Sequence, residues 1–95
     1  MPEIRVETES EIVNGWSFEV VIIEPGVAPA RRRVSLSWAD YDYWCQGRAR
    51  PEAVVHAVVE VVLEERTLAE IPDRFDAAIA RRWIPDADQR LQTRV

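Results

Sequence analysis

The segment EIRVETESEIVNGWSFEVVIIEP, Glu3–Pro25, decides the fold because two β-prone runs flank Asn14 and Gly15. Asn-Gly suits a type I′ turn, in which both central residues adopt positive φ, so the pair predicts a β-hairpin. Apolar residues of the second run share one face by the two-residue period of a strand: Trp16, Phe18, Val20 and Ile22. We expect that face to point into the core. The first run alternates less cleanly, which predicts a bend or bulge near Glu9 and Ser10.

A third strand is predicted in RRRVSLSW, Arg31–Trp38, after a loop that contains Pro25 and Pro29. One parity of this run is polar: Arg31, Arg33, Ser35 and Ser37. The other parity carries the apolar side chains, and it places Trp38 in the core in phase with Val34 and Leu36. This alternation is typical of an antiparallel sheet that is covered on one face.

The next segment, SWADYDYWCQG, holds Trp38 and three further aromatic residues: Tyr41, Tyr43 and Trp44. Ser37 can cap a helix start, with Asp40 three positions later, and Gly47 can end it in a left-handed conformation. We therefore predict one or two helical turns. The pattern leaves open whether Tyr41, Tyr43 and Trp44 seal the core or face a partner.

Two helices are predicted in the C-terminal half. RPEAVVHAVVEVVLEER, Arg50–Arg66, has a polar residue at every fourth position from Glu52 to Glu64, the period of a helix that is buried on its other sides. After a short turn at Thr67 to Glu70, apolar residues recur every four positions from Ile71 to Trp83, which predicts a second, amphipathic helix that restarts at Pro72. We expect a loose tail over about 86–95.

This order of elements predicts an α+β fold in a single domain, residues 1–95. Its sheet has three antiparallel strands, and the two C-terminal helices cover one face of that sheet. A sheet with open edges invites pairing, so we also expect a homodimer, formed through an edge or through the aromatic segment.

Composition narrows the classes of function. The net charge of -5 disfavours nucleic acid and anionic membrane surfaces as partners. Cys45 is the only cysteine, which excludes an intramolecular disulfide framework. The sequence shows neither a secretory leader nor an apolar run long enough to span a membrane, so we expect a cytoplasmic protein.

No pattern of residues predicts a catalytic centre, a cofactor site or a metal site. His56 lies on the polar stripe of the predicted helix without a nucleophile in sequence reach, and Cys45 sits late in its helical turn, where the helix dipole opposes a thiolate. We therefore expect a protein that is not an enzyme and needs no cofactor.

The main functional hypothesis is a non-enzymatic protein-interaction module, because Tyr, Trp and Arg dominate interface hot spots. The predicted interaction surface consists of Tyr41, Tyr43, Trp44, Arg48, Arg50, Arg31 and Arg33. The alternative is a nucleotide or single-stranded nucleic-acid binder that stacks bases on the aromatics and pairs phosphates with the arginines.

A hairpin, an extended segment and then GRARPEAVVHAVVEVVLEE, Gly47–Glu65, resemble the arrangement of the small HicB-type antitoxins. The resemblance covers Gly15 to Glu65 and implies an antitoxin role within the second hypothesis. The aromatic insertion is longer here, and a DNA-binding tail is not recognisable.

Overall fold

The computed structural model describes residues 2–95 and shows an α+β fold with a four-stranded mixed sheet. The strands are β1 (Glu3–Ile12), β2 (Gly15–Ile23), β3 (Ala30–Ser37) and β4 (Arg74–Asp76), in the spatial order β1-β2-β3-β4. β1, β2 and β3 pair antiparallel, as predicted, but β4 runs parallel to β3. The prediction of a purely antiparallel, three-stranded sheet is therefore wrong in this detail.

The hairpin forms one residue earlier in the chain than the Asn-Gly pair predicts. Ile12 pairs with Gly15, so Val13 and Asn14 make the turn, and Asn14 alone takes a positive φ, of 65°. Gly15 is needed for a different reason. A Cβ at Gly15 would lie 2.2 Å from the carbonyl oxygen of Leu36 in β3, a distance that no side chain tolerates.

A bulge interrupts β1, but not at the predicted place. The pairing register with β2 shifts between Val6 and Thr8, which makes Glu7 the bulged residue. The sequence predicts this irregularity near Glu9 and Ser10, because Thr and Ser break the apolar parity there. A bulge reverses the facing of every later residue, so Glu9 and Glu11, instead of Thr8 and Ser10, share the sheet face of Phe18 and Trp16.

Within residues 2–95, four helices accompany the sheet: α1 (Trp38–Cys45), α2 (Pro51–Glu65), α3 (Ile79–Trp83) and α4 (Ala87–Arg94). α2 is the predicted long helix, and it packs its valines on the sheet face that carries Phe18, Val20 and Leu36. The segment is a helix despite the strand propensity of valine, because only a helical period places its glutamates on one side.

The second predicted helix is only partly present. The structure has a 3-10 turn over Leu68–Glu70, then β4, and α3 begins only at Ile79. The outer edge of β3 explains this difference, because the backbone N–H of Arg33 donates to the carbonyl oxygen of Asp73 (2.8 Å), and the Ala77 N–H donates to the carbonyl oxygen of Ser35 (2.7 Å). A four-residue repeat fits both arrangements, since Phe75 is buried in either.

The C-terminal segment is helical instead of loose. α4 covers most of the predicted tail, and Leu91 is completely buried. Arg90 and Arg94 both bind the carboxylate of Glu64 in α2. The buried residues Ala87 and Leu91 and these ion pairs hold the helix, although its sequence is mostly polar. None of the helices in residues 2–95 has the length and apolar character that crossing a membrane requires.

Candidate functional site

The aromatic segment folds as α1 with the predicted N-terminal cap, whereas its C-cap is Gln46, one residue before the predicted Gly47, which also has a positive φ (78°). The Ser37 hydroxyl accepts a hydrogen bond from the Asp40 N–H (3.0 Å), and Gln46 ends the helix in the left-handed conformation with φ 51°. Helical spacing then turns residues three and four apart to the same side, which buries Trp44 and Cys45 and half-buries Tyr41. Most of this segment therefore serves the core.

Trp38 is the reverse case, because its side chain is 53% exposed and does not belong to the core as predicted. β3 ends at Ser37 and the chain turns into a helix at Trp38, so the two-residue phase of the strand stops one residue short. Instead, the backbone of Trp38 lies beside the hairpin turn, where its main-chain N–H donates to the carbonyl oxygen of Asn14 (2.8 Å). Ile12 and Val13 are exposed at the same end of the sheet.

Trp44 is tied into a polar network that the sequence does not reveal. Its indole N–H donates to Asp88 in α4 (2.7 Å), and the Arg81 guanidinium donates to both Asp88 and Asp40 (2.7 Å each). The same guanidinium lies over the ring of Trp44, 4.8 Å from its centroid, and over the ring of Tyr43 at 5.1 Å. Arg81 thus joins α3 to α1 and α4.

The protonation states in this network favour its charged form. Burial alone would raise the pKa of Asp88, but the hydrogen bonds from Trp44 and Arg81 outweigh burial and lower it. Burial opposes the charge of Arg81 in the same way, yet Asp40 and Asp88 raise the pKa of Arg81. The network is an internal clamp with its donors and acceptors matched to one another, which makes its role structural.

Tyr41 is also held internally. Its hydroxyl donates to the carbonyl oxygen of Ala49, and its ring meets Trp16 edge-on with 5.3 Å between centroids. Burial and the neighbouring Cys45 raise the pKa of Tyr41, so the hydroxyl stays protonated as a donor. Of the three aromatic residues in the predicted interaction surface, Tyr43 is the exposed one (52%), and its ring lies against the Arg81 guanidinium.

Two of the four arginines in the predicted interaction surface lie away from α1. Arg31 and Arg33 point from β3 to the helix-free face of the sheet, where Glu19 pairs with both. At a rise of about 3.3 Å per residue, they lie about 13 to 20 Å along the strand from Ser37, where α1 begins. Arg48 and Arg50 lie between α1 and α2, and Arg50 pairs with Glu52. Arg31 and Arg33 thus lie apart from the predicted aromatic residues, whereas Arg48 contacts α1 by donating to the carbonyl oxygen of Cys45 (3.0 Å).

A different exposed feature is the edge of the sheet formed by β1. β1 is an edge strand of ten residues that pairs only with β2, whereas the opposite edge strand, β4, has three residues. Every second residue of such an edge directs its N–H and C=O away from its neighbour. β1 therefore presents a row of backbone donors and acceptors that a further strand could use.

A groove runs along this edge, between β1 and α2, and it contains two hollows. The first has a volume of about 190 Å³ and is lined by Pro2, Ile4, Glu60, Leu63 and Glu64. The second, of about 240 Å³, is lined by Val6, Glu52, Ala53 and His56. We call this feature the edge groove. Because α2 runs opposite to β1 here, the hollows follow one another along both elements.

Acidic residues continue the line of the edge groove. After the bulge, Glu9 opposes Phe18 and Glu11 opposes Trp16, which puts both carboxylates on the same sheet face as the edge groove. Both are exposed, and within residues 2–95 neither takes part in an ion pair. The carboxylates inside the groove are better compensated: the hydrogen bond from Arg94, aided by Arg90, lowers the pKa of Glu64.

Comparison of the chain with protein-family models, with curated proteins and with solved structures gives no match.

The edge groove itself is missed by sequence reasoning. Its two components, the acidic first strand and the Glu52–Glu64 stripe of α2, are both visible in the sequence, but nothing there shows that they lie side by side. One signal in the sequence could have indicated the groove. The first strand is ten residues long although its side chains are mostly polar.

Proposed function

We propose that this chain is a non-enzymatic protein-interaction module that accepts an extended segment of its partner at the outer edge of β1. One observation carries the proposal: β1 pairs on one side only, and the edge groove lies along its free side. Strand addition of this kind gains affinity from main-chain hydrogen bonds and specificity from hollows that receive alternate side chains.

The hollows support this mode of binding because both lie along β1, on the face that Ile4 and Val6 share. Ile4 lines the first and Val6 the second, two positions apart on one strand. An added strand would run about 4.8 Å from β1 and turn every second side chain towards α2. Side chains of the added strand across from Ile4 and Val6 would then point towards the side of β1 on which the two hollows lie.

The alternative of a nucleotide or single-stranded nucleic-acid binder requires stacking rings and phosphate-pairing arginines on one surface. Arg31 and Arg33 are bound to Glu19 on the helix-free face, and Trp44 is covered by the clamp. We therefore rank this alternative, with the antitoxin role, second. Oligonucleotide binding that weakens steeply between 50 and 200 mM salt would favour it.

Selection of linear peptides tests the proposed function. A displayed library of random 11-residue peptides is selected on the wild-type chain, and the enriched peptides are measured on two variants. Ala53→Trp fills the second hollow from an exposed position of α2, and Ala39→Trp places the same bulk on an exposed position of α1.

We expect the enriched peptides to bind the wild type and Ala39→Trp equally, and Ala53→Trp at least about tenfold more weakly, because the ring would occupy the space of a partner side chain. Equal binding to all three proteins, or the absence of any enriched peptide, would refute the proposal.

A further inference from the structure

We infer that the segment bound at the edge groove is a basic strand: two apolar side chains, two positions apart, followed on the same side by lysine or arginine. This inference rests on the proposed function, and it adds the chemistry of the partner. It follows from what lines each part of β1 on the face shared with α2.

The apolar half of the pattern follows from the hollows. Ile4 and Val6 are half-buried, and Leu63 and Ala53 stand across from them on α2. Each hollow, of about 190 and 240 Å³, has room for an aliphatic side chain. An aliphatic group there would cover apolar surface that water now contacts, which is the main source of affinity in such a contact.

The basic half follows from Glu9 and Glu11. They are the next two residues after Val6 on the same face of the sheet, because the bulge at Glu7 shifts the two-residue period by one position. A regular partner strand matches one residue to the two residues of a bulge, so its own period of two is kept. Its side chains beyond the second hollow would meet two carboxylates that have no cation within residues 2–95.

A second copy of this chain is a poor occupant of the edge. β1 has one arginine, Arg5, against four glutamates, so pairing β1 with another β1 would bring mostly like charges together, and like charges across a strand pair are destabilising. Charge complementarity thus selects a basic strand over self-association, although an open edge alone would permit either.

The probe for this inference is the synthetic peptide KTKTVTVTKTK, which carries a fluorescent label and reads the same in both directions, so strand orientation does not affect the result. ETETVTVTETE replaces its charges and KTKTSTSTKTK its apolar residues. We expect the first peptide to bind at least about tenfold more tightly than either control in 50 mM salt, since each control loses one half of the pattern.

Two double variants separate local from overall charge. Glu9→Gln with Glu11→Gln should weaken binding of KTKTVTVTKTK about threefold to tenfold, because two exposed ion pairs are lost. Asp42→Asn with Asp73→Asn removes the same charge at exposed positions outside the groove and should leave binding within about twofold.

The outcomes decide the inference separately from the proposed function. If the acidic and basic peptides bind alike and Ala53→Trp weakens binding of both, the preference for a basic strand is refuted, and binding at the edge groove is supported. If both double variants weaken binding equally, the effect is overall charge and the inference fails. Failure of the basic peptide to bind, or a dimer of the free chain by light scattering whose formation Ala53→Trp prevents, also refutes it.

Discussion

The indole nitrogen of Trp44 donates a hydrogen bond to the carboxylate of Asp88, 2.7 Å away, and this bond joins α1 to α4. It explains why a segment rich in aromatic residues is mainly a structural element here. Trp44 is fully buried, its one polar atom has a partner, and Arg81 covers its ring. The aromatic segment attaches the C-terminal helix to the sheet, which leaves the opposite edge as the open feature.

Substituting the two tryptophans of α1 should give very different results. Trp44→Phe removes a buried hydrogen bond to a charged group, so we expect a loss of about 2 kcal/mol in the free energy of unfolding. Trp38→Phe changes an exposed side chain and should stay within about 0.5 kcal/mol of the wild type. Urea denaturation measures both, and equal losses would place Trp44 outside the core.

Arg81 should be important for stability in a way that its neighbour Arg82 is not. Arg81→Gln leaves Asp40 and Asp88 without their cation, and we expect a loss of about 1 to 2 kcal/mol. This is below the roughly 3 to 5 kcal/mol for breaking a fully buried pair, because Arg81 is one-third exposed. Arg82→Gln at an exposed position should have little effect. Comparable losses from both substitutions would argue against the clamp.

The lowered pKa of Asp88 makes the free energy of unfolding depend on pH in the acidic range. A carboxylate with a pKa below its unfolded value contributes stability above that unfolded value, about 3.9, and the contribution disappears as the pH falls through the lowered pKa. Asp88→Asn should therefore reduce the slope of the free energy of unfolding against pH below about pH 4. Asp42→Asn, on an exposed position of α1, is the control. An unchanged slope in Asp88→Asn would contradict the assignment.

Gly15 should tolerate no side chain. In Gly15→Ala the new Cβ would lie against the backbone of β3, so β2 and β3 must separate, and we expect a loss of about 3 kcal/mol. Gly26→Ala meets only the cost of a positive φ, about 1 kcal/mol, because no atom lies within 4 Å of the added group. Thermal or urea unfolding that ranks Gly26→Ala as the more damaging change would be inconsistent with this packing.

The sequence predicts those parts of the fold that local patterns determine. The third strand, the capped helix after Ser37 and the long helix α2 follow from period and caps, and the structure confirms them. The Asn-Gly pair predicts the hairpin correctly but places its turn one residue too late. Local patterns do not determine which edge of the sheet a later segment of the chain pairs with. β4 exists because the free edge of β3 accepts Arg74–Asp76, and a four-residue repeat cannot distinguish that pairing from a helix.

The candidate site has the same limit. Its residues come from elements more than forty positions apart, and their chemistry is ordinary until Ile4, Val6 and α2 are placed side by side. The arginine clamp shows the same point, since Arg81 and Asp40 look like separate surface charges in the sequence but lie 2.7 Å apart.

The most direct measurement is an NMR titration of the isotope-labelled chain with KTKTVTVTKTK, which follows each backbone amide. We predict the largest shift changes in β1 from Ile4 to Glu11 and in α2 around Ala53, His56 and Leu63, since these line the groove and its acidic extension. Changes centred instead on Trp38 and Tyr43, or on Arg31 and Arg33, would contradict the edge groove as the binding surface.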